Sequence, residues 1–124
     1  MIEDKDYVMR LIHEIVRTLI RLLFQKDIEK DAEPEVSLEL LAFYKKLTAM
    51  IEDGKINEAE NLLVDGLDAD SPAYFEVALL FYEKLGSKPE EFLEAHQYTQ
   101  DEVLDGLKYV VDYYGYGELW DTFR

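Results

Sequence analysis

The sequence predicts an all-α fold of about six helices, and three observations carry that expectation. Residues 7–24 place apolar side chains at the α-helical period around roughly half a cylinder. Downstream segments repeat apolar residues at spacings of three and four, punctuated by glycine, proline and residues that cap helices. No segment sustains the period-two alternation of a half-buried strand.

The first helix is expected from Tyr7 to Phe24. On a helical wheel Leu11, Leu22, Ile15, Val8, Leu19, Ile12, Leu23, Val16, Met9 and Ile20 form one arc, and Arg10, His13, Glu14, Arg17, Thr18 and Arg21 fill the other. An arc wider than the ~100° stripe of a surface helix cannot be covered by one neighbour. This element is therefore expected to be the axis of the core, lying between at least two others or shared with a second chain. Its charges interrupt the apolar run, whereas a membrane-spanning helix needs ~20 mostly apolar residues. With Glu3, Asp4 and Asp6 before the run and no small-residue cleavage site after it, the segment is not expected to be a signal peptide.

Gln25 to Glu35 is charged, includes Pro34, and reads as a frayed helix end and linker. A second helix is expected over Ser37–Asp53, with Leu40, Tyr44, Leu47 and Ile51 inward and Gly54 as its stop. Asn57 and Glu60 have capping-box spacing and place a third helix start at Asn57, with Ala59, Leu62, Leu63 and Leu67 inward. Ser71 followed by Pro72 opens a fourth helix to about Leu85, apolar almost all round and so expected to be buried on most sides. Ser87 with Glu90 reads as the capping box of a short fifth helix, and Thr99 with Glu102 as that of a sixth running to about Tyr114 with Val103, Leu107, Val110 and Tyr114 inward. Trp120 and Phe123, three apart, suggest a terminal helical turn docked on the core.

At 124 residues the chain has the length of one domain, which is the expected organisation. It has no cysteine, hence no disulfide, thiol nucleophile or thiolate metal site, a composition that suits a reducing, cytoplasmic setting. The net charge of −15 is uneven: residues 1–24 hold four basic and four acidic side chains, while the rest hold nine basic against twenty-four acidic. Such a chain is not expected to bind nucleic acid, which needs clustered Lys and Arg, nor an anionic membrane surface.

Two resemblances add to this reading. Leu40 to Pro72 resembles one tetratricopeptide repeat: a helix, a turn at Asp53-Gly54-Lys55, then residues 57–63 (Asn-Glu-Ala-Glu-Asn-Leu-Leu) with Ala59 where two helices approach closely, and a closing Ser71-Pro72. The repeat's glycine falls near Leu47 and its late alanine near Gly66. A second copy from Ala73 is faint, so the long first helix would stand in for missing repeats. The expected layout is thus an N-terminal helix and linker (1–35) with a tetratricopeptide-like region (36–124). Further, Asp6-Tyr7-Val8-Met9-Arg10 before the aliphatic helix, the Asn57–Leu67 helix, and residues 114–121 (Tyr-Gly-Tyr-Gly-Glu-Leu-Trp-Asp) are similar to a domain-of-unknown-function family of small helical proteins from Gram-positive bacteria. That resemblance implies a helical fold and a bacterial cytoplasm, and assigns no activity.

Catalytic chemistry finds little support in the residues. Ser37, Ser71 and Ser87 all stand where helix caps are expected. The two histidines fall in different helices, and neither has the Glu-x-x-His spacing of a bundle metal site, since Arg10 and Leu93 precede them by three. Asp68 and Asp70 begin like a calcium loop but lack its glycine and its closing glutamate. No metal or cofactor is expected. Glu90 with Glu94, and Asp101 with Asp105, read as solvated helix faces.

The remaining candidates are surfaces. Arg10, Arg17 and Arg21 with His13 form a basic stripe, read as pairing with the chain's own carboxylates or as a homodimer seam or acidic-partner surface. Tyr109, Tyr113, Tyr114 and Tyr116 with Trp120 suggest terminal aromatic packing or a binding surface. Tyr44, Tyr74 and Tyr82 are expected to line a concave helical face. The function expected is a non-catalytic protein or peptide interaction module; the alternative is a small enzyme or ligand-binding protein using His13 or His96 with nearby carboxylates. An acidic nucleic-acid mimic would fit the charge but not the aromatic core.

Overall fold

Apolar periodicity becomes a helical core in the computed structural model, which describes residues 4–29 and 32–123, with side chains over 7–29 and 32–121. In chain order the helices are α1 (Asp4–Phe24), α2 (Leu38–Glu52), α3 (Ile56–Asp65), α4 (Pro72–Gly86), α5 (Glu90–Ala95) and α6 (Gln100–Tyr113), followed by a 3-10 helix, Gly117–Phe123. No strand occurs among the described residues.

The hub is α4 rather than α1. It packs against α1, α2 and α6, and from Tyr74 to Tyr82 every side chain is buried, Glu76 among them. The physical reason was visible in its composition: a helix apolar all round needs neighbours on every side, whereas α1 keeps one charged face for water. α1 lies against α4, α6 and the terminal 3-10 helix, so its arc does occupy a groove between several elements. Ile12, Ile15, Val16, Leu19 and Ile20 are buried and Val8, Met9, Leu11 and Leu23 half-buried, but Leu22 at the arc's edge is 60% exposed. The covered arc is narrower than the apolar one.

Local signals decided the helix ends unevenly. The Ser71 side chain accepts from the Tyr74 amide at 3.1 Å, and Thr99 from the Glu102 amide at 3.1 Å. Ser37 likewise caps α2 at Leu40. Two expected capping boxes are corrected. α3 begins one residue early, at Ile56, and its flanking Lys55 makes no side-chain cap; burying Ile56 outweighs a capping bond worth about 1 kcal/mol. Leu62, expected inward, is exposed, while Ile56, Ala59 and Leu63 at spacings of three and four form the buried face. Ser87 instead closes α4, donating to the Lys84 carbonyl at 2.7 Å, and α5 starts after Pro89 without a side-chain cap. Ser71→Ala and Thr99→Ala should therefore each cost about 1 kcal/mol, whereas Asn57→Ala should stay within about 0.5 kcal/mol, read from urea midpoints.

Residues 25–29 and 32–35 are held by specific bonds rather than frayed. α1 stops sharply because Gln25 takes a left-handed backbone, φ 57, with its amide bonded to the Arg21 carbonyl at 3.0 Å. Pro34 is buried, and Lys26 reaches Glu76 on α4 at 2.5 Å. At the other end Phe75 stacks on Tyr114 and Tyr116, with centroids 4.3 and 5.7 Å apart. The terminal aromatics dock as expected, with Trp120 half-buried; the Phe123 side chain lies outside the described residues.

Candidate functional site

The seam between α1 and α4 joins the edge of the basic stripe to the hub helix. Gly86 lets the helices come close, since a Cβ there would lie 2.8 Å from Ile12 Cγ2. One turn away His13 Nδ1 and Glu83 Oε2 stand 2.6 Å apart. A carboxylate can only accept from the ring, so Nδ1 carries the proton of this bond. The other oxygen, Glu83 Oε1, is buried without a hydrogen-bond partner.

This pair is the wall between two clefts. One, of about 400 Å³, is walled by Met9, Ile12 and Gly86 and rimmed by Arg10 and Glu14. The second, of about 580 Å³, runs along Ile28, Ala32, Tyr44 and Leu80, so Ile28, Glu29 and Ala32 form one of its sides. His13, Glu83 and Ser87 line both.

The candidate residues named from the sequence are only partly brought together. Arg10 and His13 meet at the first cleft. Arg17 is bonded to Glu14, and Arg21 gives both Nε and Nη2 to Asp27 Oδ1, at 2.9 and 2.7 Å. Two of the three arginines thus pair with the chain's own carboxylates. His96 is held elsewhere, its Nδ1 donating to the Phe92 carbonyl at 2.7 Å and its ring filling the space over Gly54.

The expected tyrosine-lined face is corrected. Tyr44, Tyr74 and Tyr82 are 6%, 7% and 0% exposed, because helices this apolar bury their aromatics and leave only the hydroxyls to be satisfied. The Tyr74 hydroxyl donates to the Leu63 carbonyl at 2.6 Å, and that of Tyr44 to Ala32 at 3.4 Å. Trp120 sits beside Lys108, whose Nζ is 5.8 Å from the ring centroid.

Sequence reasoning missed a polar cluster joining α3, α4 and the connection between α5 and α6. The Tyr82 and Tyr98 hydroxyls donate to the two oxygens of Glu60, at 2.7 and 2.6 Å. A third cleft, of about 460 Å³, opens on it. By spacing alone Glu60 is a capping partner for Asn57; the usable signal is Gly106, a glycine inside a helix where it costs about 1 kcal/mol. A Cβ at Gly106 would stand 2.4 Å from Glu60 Oε2 and 2.7 Å from the Tyr82 ring.

Burial, then Glu60's charge and hydrogen bond, push the Tyr82 hydroxyl far above the usual phenol range; burial and the same carboxylate do so for Tyr98. Burial, with smaller contributions from Tyr114 and Asp65, raises Tyr74 to about 12. Folded values above the unfolded 10.0 mean that this contribution to stability is complete below about pH 10 and is lost as pH rises further. Tyrosinate absorbance should accordingly show a cooperative step that coincides with loss of helical circular dichroism.

Among the described residues no group of three or more His, Asp or Glu could hold a metal ion, and no helix is long and apolar enough to cross a membrane. A model described as a family of unknown function (DUF6483) matches residues 1–115. No curated protein and no solved structure matches.

Proposed function

The chain belongs to this family of unknown function, and from its own geometry we propose that it is a non-catalytic interaction module whose docking point is the α1–α4 seam. The observation that carries this reading is the cleft of about 400 Å³ with apolar walls and a few polar groups, a shape that accepts one large side chain as an anchor. The α2–α3 hairpin is read as tetratricopeptide-like: Gly54 turns at φ 82, Ala59 is fully buried, and Ser71 caps a helix with proline at its first position. A cysteine-free sequence suits the bacterial cytoplasm. The partner is a protein or peptide; a second copy of the chain is the other occupant that α1 could take.

Photo-crosslinking from position 87, an exposed residue that lines both clefts, tests the proposal in living cells. A discrete adduct that is lost when Met9 is replaced by Glu supports it. An adduct of twice the chain's mass turns it into a homodimer seam, and no adduct removes it.

The second reading, a small ligand-binding protein or enzyme, is favoured by one observation, the His13–Glu83 pair between two clefts. His96 contributes nothing to it.

A further inference from the structure

The third cleft shares no lining residue with the two at the α1–α4 seam. It exists because α3 packs on α2 while α6 packs on α4 and α1, and polar bonds span the gap between α3 and α6. The Tyr98 hydroxyl reaches Glu60 on α3 at 2.6 Å, and the Tyr113 hydroxyl reaches the Leu67 carbonyl just past α3 at 3.3 Å. Gly106 leaves the α6 side of the gap without a side chain where any Cβ would meet Glu60 and Tyr82. On the open side stands Tyr109, 55% exposed, with Val64 half-buried across from it on α3. A large aromatic ring left in water beside a cleft is the kind of group that anchors partners.

The charge of this cleft differs from the rest of the surface. Elsewhere carboxylates meet the chain's own cations, as Glu14 meets Arg17, Asp27 meets Arg21 and Glu52 meets Lys88. Here Glu60 is satisfied by two tyrosine hydroxyls and Glu102 by the Thr99 hydroxyl at 3.2 Å, bonds that leave the negative charge in place. Asp105 completes the set, and among the described residues no Lys, Arg or His lines the cleft. Lys108, the basic residue of α6, lies over Trp120 instead. The three carboxylates converge: after burial, Glu60, Glu102 and Asp105 each help to raise the Tyr98 hydroxyl. Glu102 and Asp105 are exposed, so an incoming donor reaches them without opening the Glu60 bonds.

We propose that the α3–α6 cleft docks an arginine side chain of a partner protein, its guanidinium lying on the Tyr109 ring and donating to the carboxylates of Glu102 and Asp105. Arginine suits the site better than lysine because its planar, weakly hydrated fork can stack on an aromatic face while its N–H groups bond carboxylates. The acidic field of residues 25–124, nine basic against twenty-four acidic side chains, draws such a partner in. This surface is additional to the α1–α4 seam and stands or falls without it.

The test uses three blocked tripeptides in which alanines flank a central arginine, its neutral isostere citrulline, or lysine, titrated into the full chain and followed by backbone amide shifts. The arginine peptide should shift the amides of Glu60, Val64 and residues 105–109, and bind at least about tenfold more tightly than citrulline, with lysine between them. The double variant Glu102→Gln with Asp105→Asn should abolish the preference for arginine over citrulline, and Tyr109→Ala should bring arginine down to the level of lysine. Glu91→Gln with Glu94→Gln removes the same charge from exposed positions on α5 that line none of the three clefts, and should keep the arginine preference. Citrulline binding as well as arginine, the α5 pair acting as strongly as the cleft pair, or no shift around α3 and α6 with any peptide each overturns the proposal.

Discussion

Ile15→Asp leaves the chain unfolded at room temperature. Ile15 and Leu19 are both fully buried on α1, between α4 and α6. Truncating such a side chain costs about 2–5 kcal/mol in lost transfer energy and cavity, and a carboxylate placed there without a partner adds several more. A domain has about 5–15 kcal/mol in total. Far-UV circular dichroism of the purified variant should show loss of helix, and Leu19→Asp should behave alike. The control is Leu22→Asp, on the same apolar arc but 60% exposed, which should change the urea midpoint by no more than about 0.5 kcal/mol. A folded Ile15→Asp, or an unfolded Leu22→Asp, would mean that α1 is covered on a different side.

Lys26→Met should cost about 3 kcal/mol, although Lys26 belongs to a segment that reads as a linker. Glu76 is 3% exposed within the hub helix, and its carboxylate meets Lys26 Nζ at 2.5 Å and the Glu35 amide at 3.2 Å. Removing the lysine strands a buried charge, the circumstance in which broken pairs cost about 3–5 kcal/mol; the lower end applies because the Lys26 side chain keeps 26% exposure. The double variant Lys26→Met with Glu76→Met should return to within about 1 kcal/mol of the parent, since a largely desolvated pair and an apolar contact of similar volume are nearly equivalent. Urea melts of the two single variants and the double close the cycle. A single variant costing under about 1 kcal/mol would show that water reaches Glu76.

The same pair has a pH signature. Desolvation pulls the Lys26 ammonium down, but hydrogen bonds and charge from Glu76 and Glu35 together outweigh it and hold the group above its ordinary 10.5. Its stabilisation is complete below that value and fades as pH rises through the folded one, in step with the buried tyrosines. Glu52 has the opposite sign: the hydrogen bond from Lys88 lowers it, so that smaller, half-exposed contribution fades in acid.

How much of this was readable in the chain depended on how far apart the interacting residues lie. The α1 pattern, the Ser71 and Thr99 caps and the glycine stop at Gly54 are set by neighbours within about a turn. Their reading survives folding. Asn57 and Ser87 show the limit, because a local capping preference of about 1 kcal/mol is overridden when shifting the helix start buries a residue such as Ile56. The candidate site was half legible: His13 and Arg10 stood out on the stripe, but nothing near them in the chain points to Glu83, seventy residues away.

By itself the sequence determined that the chain is helical, where most helices begin and end, and which face of α1 turns inward, because each follows from apolar period and local hydrogen bonding. The tertiary structure alone decided that α4 is the hub, that Lys26 pins the 25–35 segment to Glu76, that Tyr82 and Tyr98 share Glu60, and that Glu83 faces a cleft with one oxygen unsatisfied. A charged side chain on a helix reads as solvated until the element opposite is known. Desolvation and pairing are properties of two surfaces in contact, and no period along one strand of residues encodes them.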